Sequence, residues 1–305
     1  MADMAVGVVP GLIVGLREGI EAALVVGIIV AYLTKIDRKE LRRYVFIGAG
    51  LAMVVSAIVA AVWAVVWGQF GGVQEELFEG VAAIIAVIVL TSMILWMMKA
   101  AKDIRRHVEQ RINILVDRRQ VMGLASLAFI AVFREGVETV LFMAGLAGQT
   151  TTADLVAGVG IGLVVAGFVG FGIYGASWKI NLRRFFQATG LVLVIIAAGL
   201  FAFGAHELQG AGVVPWLSGE VYNVKASFPD GQDNPAGFVL RGLIGYNDNP
   251  TWLEAVAYVS YWVFTVLVYL GIKTGRIAIV TRPLRQVWSW ITRRPPVAKA
   301  EADSP

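Results

Sequence analysis

Seven stretches of this chain, at approximately 6–33, 44–67, 78–98, 121–145, 154–175, 188–207 and 253–272, are apolar over the roughly 20 residues that a helix needs to cross a bilayer core of about 30 Å. This pattern leaves little choice of fold class: an all-α integral membrane protein with seven transmembrane helices is expected. The composition agrees, with 58% hydrophobic and only 16% charged residues and a mean hydropathy of +0.72, against roughly 25% charged in a soluble domain. The first stretch is too long for a signal-peptide core and is preceded by Asp3 rather than a basic segment, so it reads as a retained span.

Basic residues set the orientation. Lys35, Arg38, Lys39, Arg42 and Arg43 follow the first span, seven more lie between Lys99 and Arg119, then Lys179, Arg183 and Arg184, and seven in the tail from Lys273. With seven spans these groups all fall on one side, which is therefore cytoplasmic, leaving the N-terminus outside and the C-terminus inside. Because the basic residues follow the topology, they do not argue for nucleic acid. The outer side is acidic, from Asp3 through Glu75, Glu76 and Glu79 to Glu254, and an acidic face concentrates cations. Segment 99–120 is expected as a basic linker with an amphipathic helix on the inner surface, Ile104, Val108, Ile112 and Leu115 near one face. The tail 273–305 is expected to be partly disordered. Residues 208–252, rich in Gly, Pro, Asn and Asp, read as an extracytoplasmic loop whose "DGQDN" lacks the full spacing of a calcium loop.

The chain repeats itself. "LREGIEAALV" at 16–25 returns as "FREGVETVLF" at 133–142, and Gly48, Gly50, Leu51, Val54 and Val55 align with Gly158, Gly160, Ile161, Val164 and Val165. Residues 1–98 and 121–207 thus form two three-helix halves, followed by a seventh helix at 253–272. Each half has an odd number of spans, so the halves are inverted in topology, an arrangement that in transporters places the substrate site near the midplane.

Both copies of the repeated motif carry charge at that depth. At about 100° per residue, Arg17, Glu18 and Glu21 share one sector of a helix, with Arg17 and Glu21 spaced to pair and Glu18 and Glu21 spaced to face one ligand. Arg134, Glu135 and Glu138 repeat this. Two such motifs meeting bring together four carboxylates and two guanidiniums, a formal charge of −2 in a low-dielectric interior. An isolated Arg–Glu pair can be interhelical glue, but charges inside spans cost a few kcal/mol each and a doubled set calls for a ligand. The chain has no cysteine and only His107 and His206. Thiolate or His-rich metal centres are excluded, whereas clustered carboxylates suit hard cations such as iron, manganese, magnesium or calcium. Gly11, Gly15, Gly19, Ala23 and Gly27 recur every four residues as a ridge for close helix packing. Met93, Met97 and Met98 read as packing residues rather than copper ligands.

Two outer groups are weaker candidates. Glu75, Glu76 and Glu79 open the third span, where helix capping and cation capture fit equally. His206 and Glu207 close the sixth.

Two R-E-G-x-E motifs in the first and fourth of seven spans, with "EELFEG" opening the third, resemble the high-affinity iron permease family, the oxidase-dependent iron transporters of fungi and their bacterial Efe-type relatives. The resemblance covers about residues 6–272. It implies that Glu18, Glu21, Glu135 and Glu138 bind iron in passage, with Arg17 and Arg134 as companions, and that Glu76 and Glu79 admit iron from outside, His206 and Glu207 being further candidates there. It also implies a multi-pass protein of the plasma (bacterial inner) membrane in contact with lipid, no enzyme activity, no cofactor, iron as cargo, and a separate oxidase or periplasmic iron-handling proteins as partners. A permease of the same design for manganese or lead remains open. So does an intramembrane di-iron carboxylate enzyme, although the Glu-x-x-His motifs such an enzyme uses are replaced here by Glu18/Glu21 and Glu135/Glu138.

Overall fold

The computed structural model describes residues 2–100, 112, 121–175, 182–231 and 233–274. Among these the chain is helical: α1 Ala2–Lys35, α2 Arg42–Trp67, α3 Val73–Ala100, α4 Val121–Leu146, α5 Thr152–Gly175, α6 Leu182–Gly210, the short α7 Pro235–Ile244, and α8 Trp252–Lys273. An isolated bridge joins Glu220 to Thr251. The amphipathic helix expected over 99–120 and the tail expected to be disordered lie outside the described residues, except for their first residues and Ile112, which is buried against Ile29, Leu33, Val45 and Leu124. Two compact units are distinguished, residues 1–259 and 260–305, with the boundary inside α8.

Among the described residues, five helices are long and apolar enough to cross a membrane: those over Lys39–Trp67, Val73–Leu95, Thr152–Gly172, Phe185–Gly210 and Trp252–Gly271. α1 and α4 are as long, but each carries an Arg-Glu-Glu triple near its middle and is not among the five. The outward faces are apolar. Leu51, Val54, Ile58, Val62 and Val65 on α2, and Val164, Phe168 and Phe171 on α5, are exposed, a pattern that water would penalise and lipid rewards. The protein is a multi-pass, all-helical membrane protein.

In lipid the hydrophobic effect gives little drive for helix association, so backbones must approach closely to gain dispersion contacts. α1 and α5 do this through interlocked small residues. A Cβ added to Gly15 would come within 2.5 Å of the Val159 carbonyl oxygen, and one at Gly162 within 2.5 Å of the Leu16 nitrogen. The ridge continues to Gly19 against Ala166 and Ala23 against Gly170, then stops: Gly27, expected as its last member, has nothing within 4 Å of its Cβ position. α2 meets α4 in the same manner, Gly48 facing the Ala125 carbonyl and Gly136 facing Ser56. α3 meets α6 where Gly80 faces Leu208 and Gly204 faces Ala83.

The segment read as an outer loop contains a helix. Asn234 at the N-cap, Pro235 in the first turn and left-handed Gly245 (φ 70°) at the C-cap delimit α7. α7 does not stand off from the bundle: Gly242 abuts Pro10 of α1, and Gly245 lies against the backbone of Gly199, well inside α6.

Candidate metal site

The repeated motif works locally as the helix period requires. On α1, Arg17 Nη1 donates to Glu18 Oε1 at 2.6 Å, and Nη2 lies 2.9 Å from Glu21 Oε1 as an ion pair. On α4, Arg134 Nη2 donates to Glu135 Oε1 at 2.8 Å and Nε lies 3.2 Å from Glu138 Oε1. Each arginine thus holds one oxygen of each of its two glutamates. The neighbour pairs Arg17–Glu18 and Arg134–Glu135 are absent from the i,i+4 reading of the sequence, because adjacent residues diverge by about 100° and meet only through the reach of the arginine side chain.

The two helices bring three of the four carboxylates together. Glu18, Glu21 and Glu135 each offer an oxygen, and all three oxygens lie within 4.8 Å of one another. The residues are buried, Glu18 being 1% exposed. Glu18 Oε2 and Glu135 Oε2 are buried and have no hydrogen-bond partner. Buried carboxylates this close repel unless something positive lies between them. Their free oxygens are what a cation would take. Glu138 stands at the edge of this group, paired to Arg134, with Oε2 buried and without a hydrogen-bond partner.

The two arginines differ. Arg17 is 1% exposed and donates further to Met93 Sδ of α3 at 2.9 Å, whereas the Arg134 side chain is 47% exposed. Met93 is one of the residues that read as packing; it is buried, and it also accepts from the first arginine.

The outer candidates are arranged differently. Glu76 packs on Gly210 and Glu79 on Gly148, so both lie where α3 begins and α4 and α6 end. His206 Nδ1 lies 2.8 Å from Glu254 Oε1, and Glu254 also accepts from Asn247 Nδ2 at 2.7 Å and Thr251 N at 3.0 Å. This network anchors the start of α8. Glu76, Glu79, His206 and Glu207 form no group tight enough for one ion among the described residues. α7 adds Arg241, which donates from Nη2 to the Gly148 carbonyl at 3.3 Å and lies 3.6 Å from Asp230. Sequence reasoning missed Glu254 and Arg241 as partners, since the residues concerned are separated by up to 93 positions.

A multi-spanning helical protein with ion-paired carboxylates buried between two of its helices defines, as a class, a membrane permease for cations. The model of the iron permease FTR1 family matches residues 8–281. A protein of Yersinia pestis named "Ferrous iron permease EfeU" is 33% identical over 255 residues, covering 83% of this chain and 90% of that protein. One of the same name from Escherichia coli O6:H1 is 31% identical over 264 residues, covering 86% and 95%. An uncharacterized protein of Archaeoglobus fulgidus is 37% identical over 256 residues, covering 82% and 90%. No solved structure matches the chain. The chain belongs to the iron permease FTR1 family, a family of transporters and not of enzymes.

Proposed function

We propose that this protein imports iron across the plasma membrane, passing it from the acidic outer face to a carboxylate site made by two inverted R-E-G-x-E motifs and then to the cytoplasm. The observation that carries the reading is the convergence of Glu18, Glu21 and Glu135 from two helices, with buried oxygens left unpartnered. Arg17 and Arg134 limit the negative charge and keep affinity low enough for release. The name "Ferrous iron permease" borne by two relatives supports iron as cargo.

The reading includes seven spans, with α1 and α4 crossing despite their charges, and two inverted three-helix halves. Equivalent contacts support the repeat. Shifting residues of α1 by 117 and of α5 by −110 turns the contact of Gly158 with Val8 into that of Gly48 with Ala125, and the contact of Gly19 with Ala166 into that of Gly136 with Ser56. The antiparallel course is supported by the ends that meet. Glu79 near the start of α3 lies at the end of α4, and Gly210 of α6 at Glu76; Leu33 near the end of α1 packs with Val45 and Leu124, near the starts of α2 and α4. Lys35, Arg38, Lys39, Arg42 and Arg43, between α1 and α2, lie toward the second end, which is taken as cytoplasmic. A separate oxidase or periplasmic iron-handling protein supplies any redox step.

Uptake into proteoliposomes is the test. Glu21→Ala and Glu135→Ala, in protein that inserts normally, are expected to abolish iron uptake; wild-type uptake by both refutes the proposed site. Competition by manganese and lead decides between iron and another metal as the preferred cargo.

A further inference from the structure

The carboxylates of the proposed site come from α1 and α4, yet the arginine paired with two of them also donates to a third helix. Arg17 Nη1 divides its protons between Glu18 Oε1 at 2.6 Å and Met93 Sδ at 2.9 Å, and both Arg17 and Met93 are buried. A thioether is a weak acceptor, so this contact contributes more to direction than to energy. A buried guanidinium proton with no acceptor draws its group toward another. Here the carboxylates of Glu18 and Glu21 already engage the guanidinium, and a proton drawn further toward them would take oxygens from the cation. With Met93 in place, Arg17 holds Oε1 of Glu18, and Glu18 Oε2 stays without a hydrogen-bond partner in the group that Glu18 forms with Glu21 and Glu135. The chemistry required of position 93 is therefore an acceptor of about this length.

We propose that Met93 is a positioning residue of the carboxylate site: its sulfur seats the Arg17 guanidinium so that Glu18 and Glu21 present free oxygens to the transported cation. The inference rests on the permease reading above and adds α3 to the machinery. It makes α3, which also packs against α4 at Gly145, a strut that fixes the first motif.

The test compares full-length wild type with Met93→Leu and Met93→Gln. Iron(II) uptake by proteoliposomes is measured across iron concentrations, with iron(II) binding to the detergent-solubilised protein measured alongside. Leucine keeps the apolar bulk and removes the acceptor; glutamine returns an acceptor oxygen at similar length. Met93→Leu is expected to raise the half-saturating concentration about tenfold, the cost of one unmatched buried donor, with an unchanged maximal rate, and Met93→Gln to restore wild-type half-saturation. Wild-type half-saturation in Met93→Leu overturns the proposal, and so does Met93→Gln as impaired as Met93→Leu, because sulfur or packing and not hydrogen-bond acceptance is then what matters. If Met93→Leu fails to insert, Met93→Gln still decides: wild-type half-saturation supports the proposal and a tenfold rise refutes it. Wild-type protein that binds iron without transporting it sinks the permease reading instead, and the binding affinities of the variants then judge Met93.

Discussion

Arg17 and Arg134 occupy one place in two copies of a motif and have different surroundings. Arg17 is enclosed by its own two glutamates and Met93, while Arg134 keeps a side chain half open beside Glu135 and Glu138. The four motif glutamates, equivalent in the sequence, are accordingly unequal in space. Three lie within one ion's reach and Glu138 is at the edge. Glu18→Gln, Glu21→Gln and Glu135→Gln are each expected to weaken iron affinity on the order of a hundredfold or more, since each removes one of the buried negative charges that would face the ion. Glu138→Gln, acting through Arg134, is expected to cost about tenfold, the scale of a group that orients a ligand. Iron binding to the four variants measures the order, and a Glu138 variant as damaged as the others contradicts it. The candidates themselves were legible because charge inside an apolar run stands out. Their inequality was not, since it depends on which neighbour covers each motif, and Met93 lies 76 residues from Arg17.

Small residues decide how the helices meet, and here the four-residue spacing in α1 was readable while its extent was not. Gly11 to Ala23 mesh with α5, but Gly27 has open space around it. Gly15→Leu is expected to force α1 and α5 apart and destroy the folded protein, visible as loss of a monodisperse peak in detergent. Gly27→Leu, at the same helical spacing, is expected to leave that peak intact; equal damage by both shows that the ridge does not act through close approach. The element missed by periodicity was α7. At ten residues it is too short to span, and its Asn-Pro opening and Gly closing read equally as loop punctuation. It becomes recognisable as a helix docked in the bundle only through Gly245 against Gly199 and Gly242 against Pro10.

At the scale of the molecule, orientation and charge balance make their own predictions. The chain has no cysteine, so a single introduced thiol reports its side of the membrane without background. Ser218→Cys is expected to react with a membrane-impermeant maleimide in intact cells, and Lys39→Cys only after permeabilisation; the reverse pattern inverts the proposed topology. Because the site holds more carboxylates than guanidiniums, a divalent cation binding only the folded protein is expected to stabilise it, by about 2.7 kcal/mol at a hundred times its Kd. Melting of the detergent-solubilised protein with iron(II), and with a chelator, reads this, and the shift is expected to vanish in Glu18→Gln. The sequence by itself determined that this is a helical membrane protein, which side chains could hold a cation, and the family, because hydropathy and repeated charge are properties of order along the chain. Only the tertiary structure decided that Glu135 joins Glu18 and Glu21 while Glu138 stands aside, that Met93 meets Arg17, and that α7 turns inward. Those depend on which backbones can approach closely, and that approach is set by glycines on two helices at once, a relation that neither helix carries alone.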